Sequence, residues 1–346
     1  MSNTELFGKM PGGEDVYRIT IGNSSGMKAK IITFGGIIQS LLVKNKAGEY
    51  VDVVLGKEDL ETYLKDGSSS AAVIGRFANR IGNASFELNG KTYSLFDNGS
   101  GCCLHGGKGA YNPRNFILAG ACENSVKLAL FDNGEGGFPG EVNLTVRYTV
   151  TEDDTLLIEY TAVSTEDTPI NLTNHVYFNL AGQGSGPIYE QELSIDGDFY
   201  TLCDEILVPT GEIVSVKGTP VDFREFRNFG KAIKELEDSG STLGGFDHNI
   251  VLNGTGYRKV SVARDPVSKL YMETFTDLPG VQLYTANGIS DSRPGKNGAS
   301  YTRHGGFCLE TQFFPDTINK AHFPGGLLKK GELFTTCTGF RFGIEE

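Results

Sequence analysis

The feature that most restricts the fold of this 346-residue chain is its punctuation: 46 glycines against 12 prolines, recurring every few residues between short apolar runs. Tight turns need residues that accept positive φ, and glycine does so without a steric penalty. Short alternating runs bounded by such turns read as strands. Residues 17–21, 28–33, 37–43 and 50–55 are four successive strands on this basis, turning at 22–26, 34–36 and 45–49. Residues 86–88 and 91–95 flank Asn89-Gly90, a pair suited to the type I′ turn of a hairpin. Val126, Leu128 and Leu130, then Val142 to Val150, then residues 156–162 alternate as an antiparallel meander. Further strands are expected at 192–195, 251–252, 259–263, 270–275, 281–284, 307–311 and 332–342, with short helices at 60–65 and 229–236. The fold class is therefore all-β, a large antiparallel β-sandwich with a few short helices. No linker, charge block or repeat divides the chain, so one domain over 1–346 is expected.

Hydrophobic residues at 39% are enough to bury a sizeable core. The net charge of -12, from 43 acidic and 31 basic side chains, repels phosphate backbones and anionic lipid, which argues against nucleic-acid and membrane partners. The first fifteen residues have no apolar core behind a basic stretch, and no run approaches the roughly 18 apolar residues of a membrane span. A cytoplasmic protein is the expectation. Six scattered cysteines without a CxxC pair read as reduced thiols, and without an HExxH helix no metal site is expected from close-spaced ligands.

The polar residues that such a core does not require are concentrated in a few places. Asn171-Leu172-Thr173-Asn174-His175-Val176-Tyr177-Phe178-Asn179 alternates like a buried strand, yet carries a histidine and three asparagines. Those asparagines are expected to satisfy backbone groups around a site. Of the five histidines, His105, His175, His248 and His304 stand beside other polar residues and are candidates, whereas His322 is not. Arg76 and Arg80, four apart, either pair with distant carboxylates or reach ligand hydroxyls. On the Gly-flanked loop Gly245-Phe246-Asp247-His248, neighbours point opposite ways, so only one of Asp247 and His248 can face a site. Glu310 lies inside an apolar run with Phe307, Phe313 and Phe314, where an inward carboxylate needs hydrogen bonds or a ligand. Residues 134–140 are glycine-rich but lack the context of a phosphate loop and read as a connection. A carboxylate base, an imidazole acid, an arginine and several amides suit acid–base chemistry on a neutral polyol. A Ser-His-Asp triad competes poorly, since no GxSxG elbow is present.

Gly75-Arg76-Phe77-Ala78-Asn79-Arg80-Ile81, Leu104-His105-Gly106-Gly107, Gly137-Phe138-Pro139-Gly140, Asn171 to Leu180, Gly245-Phe246-Asp247-His248 and Cys308-Leu309-Glu310-Thr311-Gln312 together resemble the galactose mutarotase (aldose 1-epimerase) family, in its order and spacing. The resemblance implies a single large sandwich and a reaction without cofactor or metal: opening of a free aldohexose to its aldehyde, and reclosure to the other anomer. It implies His175 as general acid to the ring oxygen and Glu310 as general base at the C1 hydroxyl. Asn79, Arg80, His105, Asp247 and Gln282 match its sugar-binding positions, and Tyr284 an aromatic lining. A monomer or weak homodimer is expected.

A reversible proton exchange suits a histidine near its ordinary pKa of about 6.5 and a glutamate raised by its aromatic neighbours. The chain departs from the family pattern at residues 111–116, in having no Trp, and at Gly288, and these departures are expected at the site rim. The alternatives are an epimerase for another or a phosphorylated hexose, which would want Arg or Lys at the site mouth, and a sugar-binding module without chemistry.

Overall fold

The computed structural model describes residues 3–66, 69–289 and 293–345. Three antiparallel sheets dominate them. The N-terminal one runs Asn3–Lys9, Asp15–Gly22, Lys28–Ile32, Ile38–Lys44 and Tyr50–Asp52 in chain order. A nine-stranded sheet runs in the order Ile117–Ala121, Ser125–Asp132, Val142–Val150, Thr155–Ser164, Phe334–Ile344, Leu270–Thr276, Arg258–Arg264, Glu192–Ile195 and Arg227–Asn228. The third has the order Pro209–Ser215, Phe199–Cys203, Asp247–Val251, Gly280–Tyr284 and Cys308–Gln312. The architecture is a large antiparallel β-sandwich with little helix.

Alternation explains the layering. In Val142–Val150 every second residue, from Val142 to Val150, is buried. The hairpin at Asn89-Gly90 forms as its sequence predicts, with φ of 53° and 73° at the two turn residues. The short helices Leu60–Asp66 and Phe229–Asp238 also lie where expected. Among strands of five residues or more, Asn3–Lys9, Ile117–Ala121, Phe199–Cys203 and Pro209–Ser215 escape sequence reading. The first and last are largely exposed, so no apolar face marks them. Among the described residues no helix is long and apolar enough to cross a membrane.

The third sheet positions the site because its two faces differ. Ile250, Val281, Leu283 and Leu309 join the same apolar cluster as Val146, Ile158 and Phe340 of the nine-stranded sheet. The hydroxyls of Thr311 and Thr338 hydrogen-bond across that contact. Because successive side chains point to opposite faces, the residues between them, Asn249, Gln282, Cys308, Glu310 and Gln312, share the other face.

Candidate active site

Register decides which of these residues meet. Glu310 stands opposite Gln282, which stands opposite Asn249; Cys308 stands opposite Tyr284, which stands opposite Asp247. Two rows of polar side chains therefore cross three strands. They are tied laterally: Gln282 Nε2 donates to Asp247 Oδ1 at 2.6 Å, while Gln312 Nε2 donates to Gln282 Oε1 at 3.1 Å and Asn249 Oδ1 at 3.0 Å. The amides Asn249 and Gln312 were missed in the sequence, although the two-residue period places Gln312 beside Glu310.

His175 comes from the segment that covers this face. Its backbone is fixed by Ala71 N donating to its carbonyl (2.7 Å) and by its own N–H donating to Ala72 O (3.0 Å). The ring stacks on Tyr177 (5.0 Å between centroids, 18° between planes) and meets Tyr284 edge-on (5.8 Å, 86°). Nε2 lies 3.7 Å from Glu310 Oε1. Glu310 Oε2 is buried and has no hydrogen-bond partner among the described residues.

The asparagines hold this arrangement together. Asn171 accepts from Phe313 N (2.9 Å) and donates to Ala78 O (3.3 Å) and Phe313 O (3.1 Å), joining the segment before Asn79 to the residue after Gln312. Asn179 donates to Gly186 O and Gly305 O, both at 2.9 Å. Asn171→Ala removes the partners of Ala78 O and of the Phe313 N–H and carbonyl, and is expected to lower stability by about 3 kcal/mol. Urea unfolding of the variant tests this; a midpoint equal to wild type would remove the pinning role.

A second turn brings Asn79, Arg80 and His105 to the same place. His105 N donates to Asn79 O (2.9 Å) and Asn79 N donates to His105 Nδ1 (3.1 Å), a reciprocal clasp between two residues at φ of 62° and 53°. Left-handed backbone at non-glycine residues is uncommon and clusters at functional sites. Gly106 is required beside it, since a Cβ there would lie 2.3 Å from Gly75 O. The His105 ring reaches to 5.6 Å from that of His175.

The two arginines part company. Arg76 is fully buried, with Nε 2.8 Å from Asp132 Oδ2, and its other nitrogens donate to Pro139 O, Thr168 Oγ1 and Gly140 O. It is a framework residue, and residues 134–140 are its acceptor loop. Arg80 has no carboxylate within ion-pair distance among the described residues, and its charge bears on Glu310.

Burial sets the electrostatics. It pushes Glu310 well above the usual carboxylate value, with Asp247 adding to the rise and Arg80 opposing it. It lowers His175 to about 4, against raising effects of its own backbone and Asp247. A histidine near 6.5 is thus not what forms, because stacked aromatic rings and strands exclude the water that would stabilise imidazolium.

His248 points away from this face, packing against Tyr200 and Phe246, so Asp247 is the residue of that pair on the site side. Both lie within the strand Asp247–Val251 and not on a loop. His304 is engaged elsewhere, its ring nitrogens 3.0 Å from Tyr189 Oη and 2.8 Å from Gly244 O. Tyr111 is not at the rim: it is fully buried and donates to Asp132 Oδ2 at 2.8 Å, packed over Gly75. Gly288 does lie by the site, its N–H donating to Tyr284 Oη at 2.7 Å.

One donor atom each from His105, His175 and Glu310 lie within 4.8 Å of one another, a cluster that resembles a metal-ligand set. The outer contact of His105 has the wrong polarity. A ligating histidine donates its second N–H outward to an acceptor, whereas His105 Nδ1 receives a backbone N–H, which leaves the ring proton on Nε2. That nitrogen is a hydrogen-bond donor to whatever enters the site.

The profile of the aldose 1-epimerase family matches residues 17–341. Galactose mutarotase from Bos taurus is 41% identical over 345 residues, 98% of each chain, and that from Homo sapiens is 40% identical over 347 residues, again 98% of each. Aldose 1-epimerase from Haemophilus influenzae is 35% identical over 339 residues, 96% of this chain and 97% of that one. Among solved structures, an aldose epimerase homologue from C. elegans superposes with a TM-score of 0.88 at 28% identity, covering 95% of this chain and 99% of that one. These matches span nearly the whole chain, and the chain belongs to the aldose 1-epimerase family.

Proposed function

We propose that Glu310 and His175 interconvert the α and β anomers of galactose, and of glucose, by acid–base ring opening. The family makes the chain an isomerase with a small sugar as substrate. The observation that carries the assignment is the buried Oε2 of Glu310, without a hydrogen-bond partner among the described residues, beside an imidazole 3.7 Å from Oε1. A buried acceptor without a partner is expensive unless a ligand supplies one.

In the forward step the Glu310 carboxylate takes the proton of the C1 hydroxyl, whose electron pair forms the aldehyde C=O. The C1–O bond of the ring breaks, and its electrons take the Nε2 proton of the His175 imidazolium. Rotation about C1–C2 and reclosure, with Glu310 returning its proton and His175 recovering its own, gives the other anomer. The pair carries one proton throughout. Burial favours its uncharged arrangement, protonated Glu310 with neutral His175, which is the state reached with the open-chain sugar. The charged arrangement that starts ring opening is related to it by one proton transfer.

Arg80 and the Nε2–H of His105 act as donors, and Asp247, held by Gln282, as an acceptor, for the hydroxyls of a neutral sugar; Asn79 supports them and Tyr284 lines the site. With Arg76 buried against Asp132, Arg80 is the one arginine of that pair left to the substrate, which favours a free over a phosphorylated hexose. Residues 1–346 are taken as one domain, working as a monomer or weak homodimer in the cytoplasm without nucleic-acid or membrane partners.

Polarimetry of freshly dissolved α-galactose across pH tests the assignment. The single-proton pair is lost below about 4, where His175 also protonates, and again above the raised value of Glu310, where both are bare. The expected kcat/KM profile is a bell whose limbs belong to the pair. An acid limb near the ordinary histidine value of about 6.5, or none at all, would refute it.

A further inference from the structure

His175 has two ring nitrogens, and the acid role uses only one. Nε2 faces Glu310, while Nδ1 lies 3.4 Å from Cys308 Sγ, the one side-chain hydrogen bond to this ring among the described residues. Cys308 and Glu310 are two residues apart on one strand, so their side chains leave the same face and address opposite ends of the imidazole. Cys308 is fully buried.

We propose that Cys308 is a positioning residue for His175, its sulfur accepting a hydrogen bond from Nδ1–H so that the ring gains and loses its catalytic proton through Nε2 alone. The inference rests on the acid role assigned to His175 above. When imidazolium gives up its Nε2 proton, the neutral ring left behind carries its hydrogen on Nδ1. That N–H is buried and needs an acceptor. Were the thiol instead to donate to Nδ1, the neutral ring would hold its hydrogen on Nε2, and giving that hydrogen away would produce an imidazolate. The sulfur must therefore be the acceptor.

A thiol suits this place better than a carboxylate. Burial pushes Cys308 well above its ordinary value, so it stays uncharged. An uncharged sulfur is a weak acceptor. It orients the ring without holding imidazolium as strongly as a carboxylate would, and so leaves Nε2–H a competent acid towards a sugar oxygen.

Two variants and one spectrum decide the matter. Cys308→Ala is expected to lower kcat about tenfold, the effect of one lost buried hydrogen bond, with KM within about twofold. Cys308→Ser, which keeps an acceptor on a shorter bond, should recover part of that loss. If the thiol only fills space, the more polar serine will do no better than alanine, and the inference fails. Nitrogen-15 NMR of His175 in the sugar-free protein is expected to show Nδ1 protonated at neutral pH, with mixed tautomers in Cys308→Ala. Protonation on Nε2 in wild type, or an unchanged spectrum in the alanine variant, overturns the role of Cys308 while leaving the acid–base pair standing. Wild-type turnover in His175→Asn would instead remove the pair itself.

Discussion

Glu310→Gln is expected to slow equilibration of α-galactose by roughly 10²–10⁴-fold, the range over which a positioned base contributes. Glutamine has the same shape and can keep the contacts of the sheet face, but it cannot take the C1 proton. The structure makes this a clean substitution. Glu310 is buried, its Oε2 has no hydrogen-bond partner among the described residues, and its carboxyl is held well above its usual value by burial and by Asp247. Nothing in the framework depends on its charge, so the variant should unfold at a urea concentration no lower than wild type. Polarimetry reads the rate directly. A Glu310→Gln protein as fast as wild type would show that the base lies elsewhere.

Arg76→Met should have the largest effect on stability, about 3–5 kcal/mol, as expected when one partner of a buried ion pair is removed. The guanidinium contacts Asp132, two carbonyls of the loop at 139–140 and Thr168, and lies 5.7 Å from the centre of the Phe138 ring. Burial alone would push Asp132 up, but Arg76, Gly134 N and Tyr111 hold it below its ordinary value. Without Arg76 that carboxylate stays buried with no counter-charge. Denaturant unfolding of the single variant against Arg76→Met/Asp132→Asn measures this. The double variant should recover part of the loss, and kcat at low temperature should change little in either. Unchanged stability in Arg76→Met would contradict the framework role; a collapse of kcat in a folded protein would move Arg76 into the site.

These two arginines show how far residue types can be read. Arg76 and Arg80 are four apart in one motif, and both were equal candidates for ligand or framework until their surroundings were known. Asp132, which settles the question for Arg76, is 56 residues away. The same holds for the histidines. The rings of His105 and His175 come within 5.6 Å of each other from distant segments, whereas His248, beside Asp247, points to the opposite face.

What the sequence determined by itself was local. Alternation and glycine turns specify strands and hence an all-β chain, because side-chain direction along a strand has a period of two. Residue chemistry singled out Glu310 and His175, since neither belongs in an apolar run without a polar purpose. Exposed strands such as Pro209–Ser215 escaped because a strand with no buried face carries no alternation. Tertiary structure alone decided the partners. Placing Gln282 against Glu310, Cys308 against His175 Nδ1 and Asp132 against Arg76 depends on register and packing between segments far apart in the chain. So does the low pKa of His175, because the excluded water is displaced by rings and strands that no local pattern brings together.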